Sequence, residues 1–258
     1  MNDELFDLTG KVAVITGSTR GIGRGIAEQF ARRGASVVIS SRKADVCEEV
    51  RGAIVATGGT AIAIPCNISD KSQLAALVDG TVMAYGGIDI VVCNAAVNPY
   101  FGPLANITDD QYDKIMNSNV RSNLWLCNMA LPHVAVRGGG ACIIISSIAG
   151  LKGSRLLGAY GLSKAADFQL ARNLAVEWGP KNVRVNAIAP GVIKTDFAKA
   201  LYEDPKMEAF VTKQYPIGRL GVVDDVSGVA VMLASRAGAF VSGQGIVVDG
   251  GTTIGGFD

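Results

Sequence analysis

Tyr160 and Lys164 stand four positions apart in the run GAYGLSKAADFQLA. On a helix that spacing brings a phenol and an ammonium onto one face. A fixed positive charge nearby favours phenolate and draws a tyrosine's pKa down toward neutral. A phenol tuned in that way can give or take a proton at a carbonyl or alcohol oxygen. The same spacing also occurs as a packed ring beside a solvated amine, so the pair gains its meaning from the rest of the chain.

A second candidate is the turn Thr16-Gly17-Ser18-Thr19-Arg20-Gly21-Ile22-Gly23. Its glycines permit a tight corner and let backbone approach a pyrophosphate at a helix N-terminus. The first gap is wider than in GxGxxG, and a glycine turn can also simply close a strand–helix corner. Its place after an N-terminal strand and before an amphipathic helix favours the dinucleotide reading. The third candidate is Ser40-Ser41-Arg42-Lys43 at the end of the next strand. An acid there would bind a ribose 2′-hydroxyl and repel a 2′-phosphate. None is present. Arg42 offers a planar fork for phosphate and Arg20 lies in the adjoining loop. The expected cofactor is therefore NADP(H), with NAD(H) as the alternative; Arg42 and Lys43 as plain solvated charges is the bland account.

The elements that must position these groups alternate strand and helix. Strands are expected at residues 11–16, 36–40, 61–65, 88–93, 141–146, 183–188 and 245–248, from short β-branched runs such as KVAVIT and ACIIIS. Helices are expected at residues 22–33, 45–57, 69–85 with Ser69 as N-cap, 109–136 capped by Thr108, 160–178 and 224–234. Residues 196–215 are expected to form one or two short helices in a mobile lid. Seven continuous apolar strands with crossover helices predict a parallel sheet covered on both faces.

Composition narrows the function. The chain has 258 residues, is 49% hydrophobic and carries a net charge of +1. That balance offers no electrostatic footprint for nucleic acid or anionic membrane. No apolar run reaches the length of a membrane span. Residues 1–10 are acidic and show no signal-peptide core. The odd set Cys47, Cys66, Cys93, Cys127 and Cys142 has no CxxC or metal-ligand spacing, so buried free thiols in a reducing cytoplasm and no metal are expected. His133 is the only histidine, which leaves His-based triads nearly excluded. It follows Pro132 near a helix end and reads as structural.

Taken in order, TGSTRGIG, NAA after the fourth strand, a serine thirteen positions before Tyr160, YxxxK, and PGxxxT after the sixth strand form one set. With it the sequence resembles the short-chain dehydrogenase/reductases of the roughly 250-residue type, from LTGKVAVITG to VSGQGIVVDGG. The resemblance implies an α/β fold: a Rossmann-type, doubly wound, seven-stranded parallel sheet with helices on both faces, in one domain over residues 1–258. It implies Tyr160 as acid/base, Lys164 as the group that binds the nicotinamide ribose and tunes the phenol, and Ser147 as the donor to the substrate oxygen. Ser146 should point away, since strand neighbours alternate. Asn119 in MNSNVRSN would hold a water of the proton relay, with Asn117 and Asn123 as rivals outside the NV context. Gly17, Ser18, Thr19, Arg20, Gly21, Ile22 and Gly23, with Ser41, Arg42, Asn67, Ile68, Asn94, Ala95, Ala96, Pro190, Gly191, Ile193 and Thr195, would line the cofactor site.

Two positions depart from the family's pattern. Val97 follows Asn94-Ala95-Ala96 where a glycine is usual, and is expected to narrow the turn; NAAVNP is similar to the peroxisomal and related carbonyl-reductase branch. Asn67 replaces an Asp that holds the adenine amino group, and its amide oxygen can still accept. The chain ends Gly-Phe-Asp, not in a peroxisomal tripeptide, so that location is not implied. The resemblance implies hydride transfer between the cofactor and a ketone or secondary alcohol, with Ser147 and Tyr160 bonded to the oxygen where charge develops. The walls would come from residues 97–101, 148–157 and 196–215, where Leu151, Leu156, Leu157, Tyr100 and Phe101 favour an apolar small molecule; Arg155 and Lys152 read as solvated. An NADPH-dependent ketone reductase is the first reading, with a β-ketoacyl carrier-protein reductase as a subtype. An NAD(H)-linked alcohol dehydrogenase is the second, and a non-catalytic cofactor-binding sensor the third. A homo-oligomer, as a tetramer built on the helices at 109–136 and 160–178 and on the last strand, is implied as well.

Overall fold

A computed structural model describes residues 4–255. Residues 1–3 and the terminal Gly256-Phe257-Asp258, read above for leader and targeting signals, lie outside the described residues. The strands are β1 (Val12–Thr16), β2 (Ser36–Ser40), β3 (Thr60–Ala63), β4 (Ile90–Cys93), β5 (Gly140–Ile145), β6 (Val183–Pro190) and β7 (Gly245–Val248). They form one parallel sheet in the order β3-β2-β1-β4-β5-β6-β7. The order reverses between β1 and β4, and the crevice at such a switch point is where this architecture takes ligands.

The helices are α1 (Gly21–Arg32), α2 (Ala44–Ala56), α3 (Lys71–Tyr85), α4 (Asp109–Met116), α5 (Ser122–Val136), α6 (Gly158–Trp178), α7 (Pro205–Thr212) and α8 (Val223–Ala234). Strand alternation feeds both faces. Ala13, Ile15, Val37, Ile39, Ile90, Val92, Ile143 and Ile145 pack with Ile26, Phe30, Val50 and Val226 of α1, α2 and α8. Val14, Val38, Val91, Cys93, Cys142 and Ile144 pack with Leu74, Leu126, Ala130, Phe168 and Leu174 of α3, α5 and α6. Each fully buried Val, Ile or Leu contributes about 1.5–3 kcal/mol. That is why short strands with no polar face form one sheet between two helical layers.

Several boundaries move for identifiable reasons. The fourth strand starts at Ile90; just before it the buried Asp89 carboxylate accepts from the Val12 amide at 2.9 Å and pairs with Arg137 at 2.9 Å. Ser69 does not cap α3. Asp70 does, accepting from the Ser72 and Gln73 amides at 2.9 and 3.3 Å, while the Ser69 hydroxyl meets Ser118 at 3.2 Å. Thr108 caps α4 in a reciprocal box with Gln111. The single helix expected over 109–136 is interrupted: Asn117–Arg121 is a π-helical segment between α4 and α5. The expected lid holds a 3-10 turn (Asp196–Leu201) and α7. All five cysteines are buried and free. The sulfurs of Cys93, Cys127 and Cys142, from β4, α5 and β5, lie within 4.8 Å of one another, a grouping that chain spacing does not reveal.

Candidate active site

The turn after β1 is built around glycine. Gly17 and Gly21 have φ of 65° and 54°, which disfavour any side chain. A Cβ on Gly17 would stand 2.9 Å from Asn94 Nδ2, and one on Gly21 would stand 3.2 Å from Thr195 Cγ2. A Cβ on Gly23 would overlap the Gly17 carbonyl and Asn94. Arg20 precedes α1 without a side-chain cap, so the first amides of the helix have no side-chain partner there. A cradle that side chains would fill, at an uncapped helix N-terminus, fits a dinucleotide pyrophosphate.

Neighbouring segments lock onto this turn. Asn94 Nδ2 donates to the Thr16 and Gly17 carbonyls at 2.9 and 3.1 Å, and Thr16 Oγ1 accepts from the amides of Asn94 and Ala95 at 3.0 and 3.2 Å. Asn94, Ala95 and Ala96 are thereby held beside Gly17. The loop after β6 closes the other side. Gly191 donates to the Val248 carbonyl at 2.9 Å, Ile193 bridges to Gly221, and Thr195 stands against Gly21. Pro190, Gly191, Ile193 and Thr195 thus reach the same crevice as the first turn. Ser18 is fully buried and its Oγ accepts from the Ser40 amide at 2.8 Å, tying the turn to β2. Ser41 binds Cys47, and its hydroxyl lies 3.4 Å from that sulfur. Arg20, Arg42 and Lys43 are exposed, and none makes an ion pair among the described residues. Asn67 Oδ1 accepts from the Ser69 amide at 3.2 Å, and Ile68 packs against the apolar layer of α3 and α5.

Tyr160 and Lys164 share the inner face of α6, with Lys164 Nζ 5.8 Å from the Tyr160 ring centroid. Lys164 is 2% exposed, and its ammonium donates to the Ile145 carbonyl at 2.8 Å and to Asp167 Oδ2 at 3.0 Å. Burial draws this ammonium down, but Asp167 and then Tyr160 outweigh it and leave it above its ordinary value. Burial pushes the Asp167 carboxyl up, and Lys164 offsets this only in part. Ser147 begins a 3-10 turn over Ile148–Gly150 and its Oγ accepts from the Ala149 amide at 3.1 Å. That turn sits on α6: a Cβ on Gly150 would lie 2.6 Å from the Lys164 carbonyl carbon, and one on Gly161 would lie 2.8 Å from the Ala149 oxygen. Ser146 points the other way, its hydroxyl donating to the Lys164 carbonyl at 2.7 Å.

Asn119 lies in the π segment and is fully buried. Its Oδ1 accepts from the Val97 amide at 2.8 Å, and its Nδ2 donates to the Val97 carbonyl and Ser163 Oγ, each at 3.0 Å. Ser163 Oγ donates in turn to the Tyr160 carbonyl at 2.7 Å. Asn119 therefore clamps the 94–97 turn to the tyrosine helix. Val97 has no positive φ, so the turn accommodates a side chain where a glycine is usual. π segments of this kind re-aim side chains and recur at functional sites. Replacing Asn119 by Ala strands the Val97 amide and carbonyl; we expect a loss of about 1–3 kcal/mol, read as a lower thermal midpoint.

Two side chains of the site escaped the motif reading. Phe197 of the lid stands 6.2 Å from Tyr160, centroid to centroid, tilted by 36°. Asp167 is fully buried beside Lys164, and Asn123 Nδ2 donates to its other oxygen at 3.1 Å. The only signal was an Asp three places after Lys164 within an apolar stretch. Two wall loops meet where Gly102 donates to the Leu156 carbonyl at 2.9 Å. Phe101, Leu151, Leu156 and Phe197 are exposed, and Lys152 and Arg155 are exposed as expected.

Residues 17–253 match the family model described as enoyl-(acyl carrier protein) reductase. Dehydrogenase/reductase SDR family member 4 of Oryctolagus cuniculus is 40% identical over 244 residues, covering 95% of this chain and 94% of that protein. The short-chain dehydrogenase/reductase SDRA of Arabidopsis thaliana is 39% identical, covering 95% of each. A solved 7α-hydroxysteroid dehydrogenase, in complex with NADH and 7-oxo glycochenodeoxycholic acid, superposes with a TM-score of 0.93 at 38% identity, covering 97% of both chains. The chain belongs to the short-chain dehydrogenase/reductase family and is an oxidoreductase of that family, whose members bind NAD(P)(H). No helix among the described residues is long and apolar enough to cross a membrane.

Proposed function

We propose that the protein transfers hydride between NADP(H) and a ketone or secondary alcohol, working as an NADPH-dependent carbonyl reductase. The observation that carries this reading is the buried Lys164 ammonium beside Tyr160 on one face of α6. When bound, the cofactor supplies or accepts the hydride. The chain's own residues orient the substrate and move the proton. Tyr160 protonates the developing alkoxide, or removes the alcohol proton in reverse. Ser147 donates to the same oxygen, Lys164 holds the positive charge that favours phenolate, and Asn119 keeps the neighbouring turn in place. Phe197 beside Tyr160, and the exposed Phe101, Leu151 and Leu156 of the expected wall loops, support an apolar substrate body. The apolar side chains of α5 and α6 that face outward, Leu124, Val136, Leu162 and Val176, are those a homo-oligomer would cover.

Arg42 and Arg20, which make no ion pair among the described residues, support NADP(H), as does the lack of an acid at the end of β2. Titration with each reduced cofactor tests this. NADPH is expected to bind more tightly than NADH, and Arg42→Ala to lose roughly tenfold or more of NADPH affinity, as for a charge-assisted hydrogen bond. Equal or tighter NADH binding would favour the second reading, an NAD(H)-linked alcohol dehydrogenase. The solved relative holding NADH speaks for that alternative.

A further inference from the structure

Tyr160, Lys164 and Asp167 follow one another at i, i+4 and i+7 along the inner stripe of α6. Asp167 is 0% exposed and Asn123, which faces it from α5, is 4% exposed. A buried ion pair is a poor source of stability, because desolvating both charges offsets their attraction. An apolar side chain at 167 would serve the core equally well. The geometry gives the pair another use. An ammonium has three N–H donors. One goes to the Ile145 carbonyl and one to Asp167 Oδ2, which leaves a single donor. Asn123 fixes the carboxylate from the far side through Oδ1.

We propose that Asp167, steered by Asn123, is a positioning residue for Lys164: it anchors the ammonium from below, leaves one N–H for the crevice, and keeps the buried lysine charged. This rests on the Tyr160–Lys164 reading given above. The titratable groups that face the pair among the described residues are Tyr160 on α6, Cys93 at the end of β4, and Cys127 on α5, with Cys142 of β5 behind them. Tyr160 and Cys93 also favour the charged lysine, each by less than Asp167. Without Asp167, burial acts on Lys164 against Tyr160 and Cys93 alone, and the balance moves toward the neutral form. The sign follows: a partner that raises a lysine's pKa preserves its charge to higher pH, so removing that partner brings charge loss to lower pH.

The test is the pH profile of kcat/KM for alcohol oxidation with Asp167→Asn, which keeps the side chain's shape and removes its charge. The alkaline limb is expected to move to lower pH by about one unit or more, with a higher KM for cofactor. Asp167→Glu, which restores charge, should recover part of the limb. Asn123→Ala keeps both charges and serves if Asp167→Asn does not fold; its limb should shift in the same direction by less. In the Lys164→Met background, Asp167→Asn should add no further loss of turnover, since it acts through the lysine. A folded Asp167→Asn enzyme, or an Asn123→Ala enzyme where that one does not fold, with wild-type limb and KM would overturn the proposal, as would additive losses in the double variant. If Lys164→Met itself retained full turnover, the underlying reading would fall instead.

Discussion

Tyr160→Phe is expected to lower kcat for ketone reduction by about a thousandfold while leaving cofactor binding intact. Only the phenolic oxygen is lost. The ring keeps its place between Phe197, 6.2 Å away, and the Lys164 ammonium, 5.8 Å away. Positioned proton transfer contributes about 10²–10⁴ in rate, and no histidine is at hand to substitute for it. The Ser147 hydroxyl still polarises the carbonyl, so a residual rate is expected. The thermal midpoint should stay close to wild type, because packing is preserved. Single-turnover kinetics with a ketone panel, beside a cofactor titration, reads both quantities. Turnover within threefold of wild type would remove Tyr160 from the chemistry. Loss of both turnover and cofactor binding would point to a damaged crevice.

Lys164→Met carries the second large effect, and it falls on stability as well as on rate. Removing one partner of a buried pair leaves the other uncompensated, at a cost of about 3–5 kcal/mol. Here the orphan is Asp167, fully enclosed and hydrogen-bonded only by Asn123 on its other oxygen. Burial already pushes this carboxyl up, and Lys164 is the largest opposing influence. In the variant it rises further. A carboxyl raised in the folded state contributes stability that is complete below its unfolded pKa and is lost as pH rises through the folded pKa. The deficit relative to wild type should therefore be small in acid and grow toward neutral pH, which thermal melts at several pH values would show. Lys164→Met with Asp167→Leu should recover stability but not turnover, since an apolar pair removes the buried charge while the tyrosine still lacks its ammonium. A deficit independent of pH would mean that Asp167 is not the orphan.

Much of the site was legible because its residues are local in sequence. Tyr160 and Lys164 need only a helix to share a face, and Gly17, Gly21 and Gly23 need only the corner between β1 and α1. The parallel sheet followed from strands with mostly continuous apolar runs, since a strand with a solvent face would alternate. The strand edges were less legible. Asp89, just before the fourth strand, is buried for a long-range reason, as acceptor for the Val12 amide and partner to Arg137. The break in the 109–136 helix was hidden in the same way. Nothing in MNSNVRSN demands a π turn until Asn119 has a loop, 94–97, to clamp.

By itself, then, the sequence determined the family and the seven-stranded sheet with its two helical layers, and it singled out Asn119, Ser147, Tyr160 and Lys164 as the candidate site. Those features depend on local spacing and apolar patterning, which the chain carries in any context. The tertiary structure alone decided that Asn119 holds Val97 and Ser163, that Phe197 stands beside Tyr160, that Cys93, Cys127 and Cys142 meet in the core, and that Asp167 is a buried counter-charge and not a solvated one. Most are contacts between elements distant in the chain; the Asp167–Lys164 pair is local to α6, but its burial against Asn123 of α5 is not. Whether that pair faces water or the core depends on which helix packs above it.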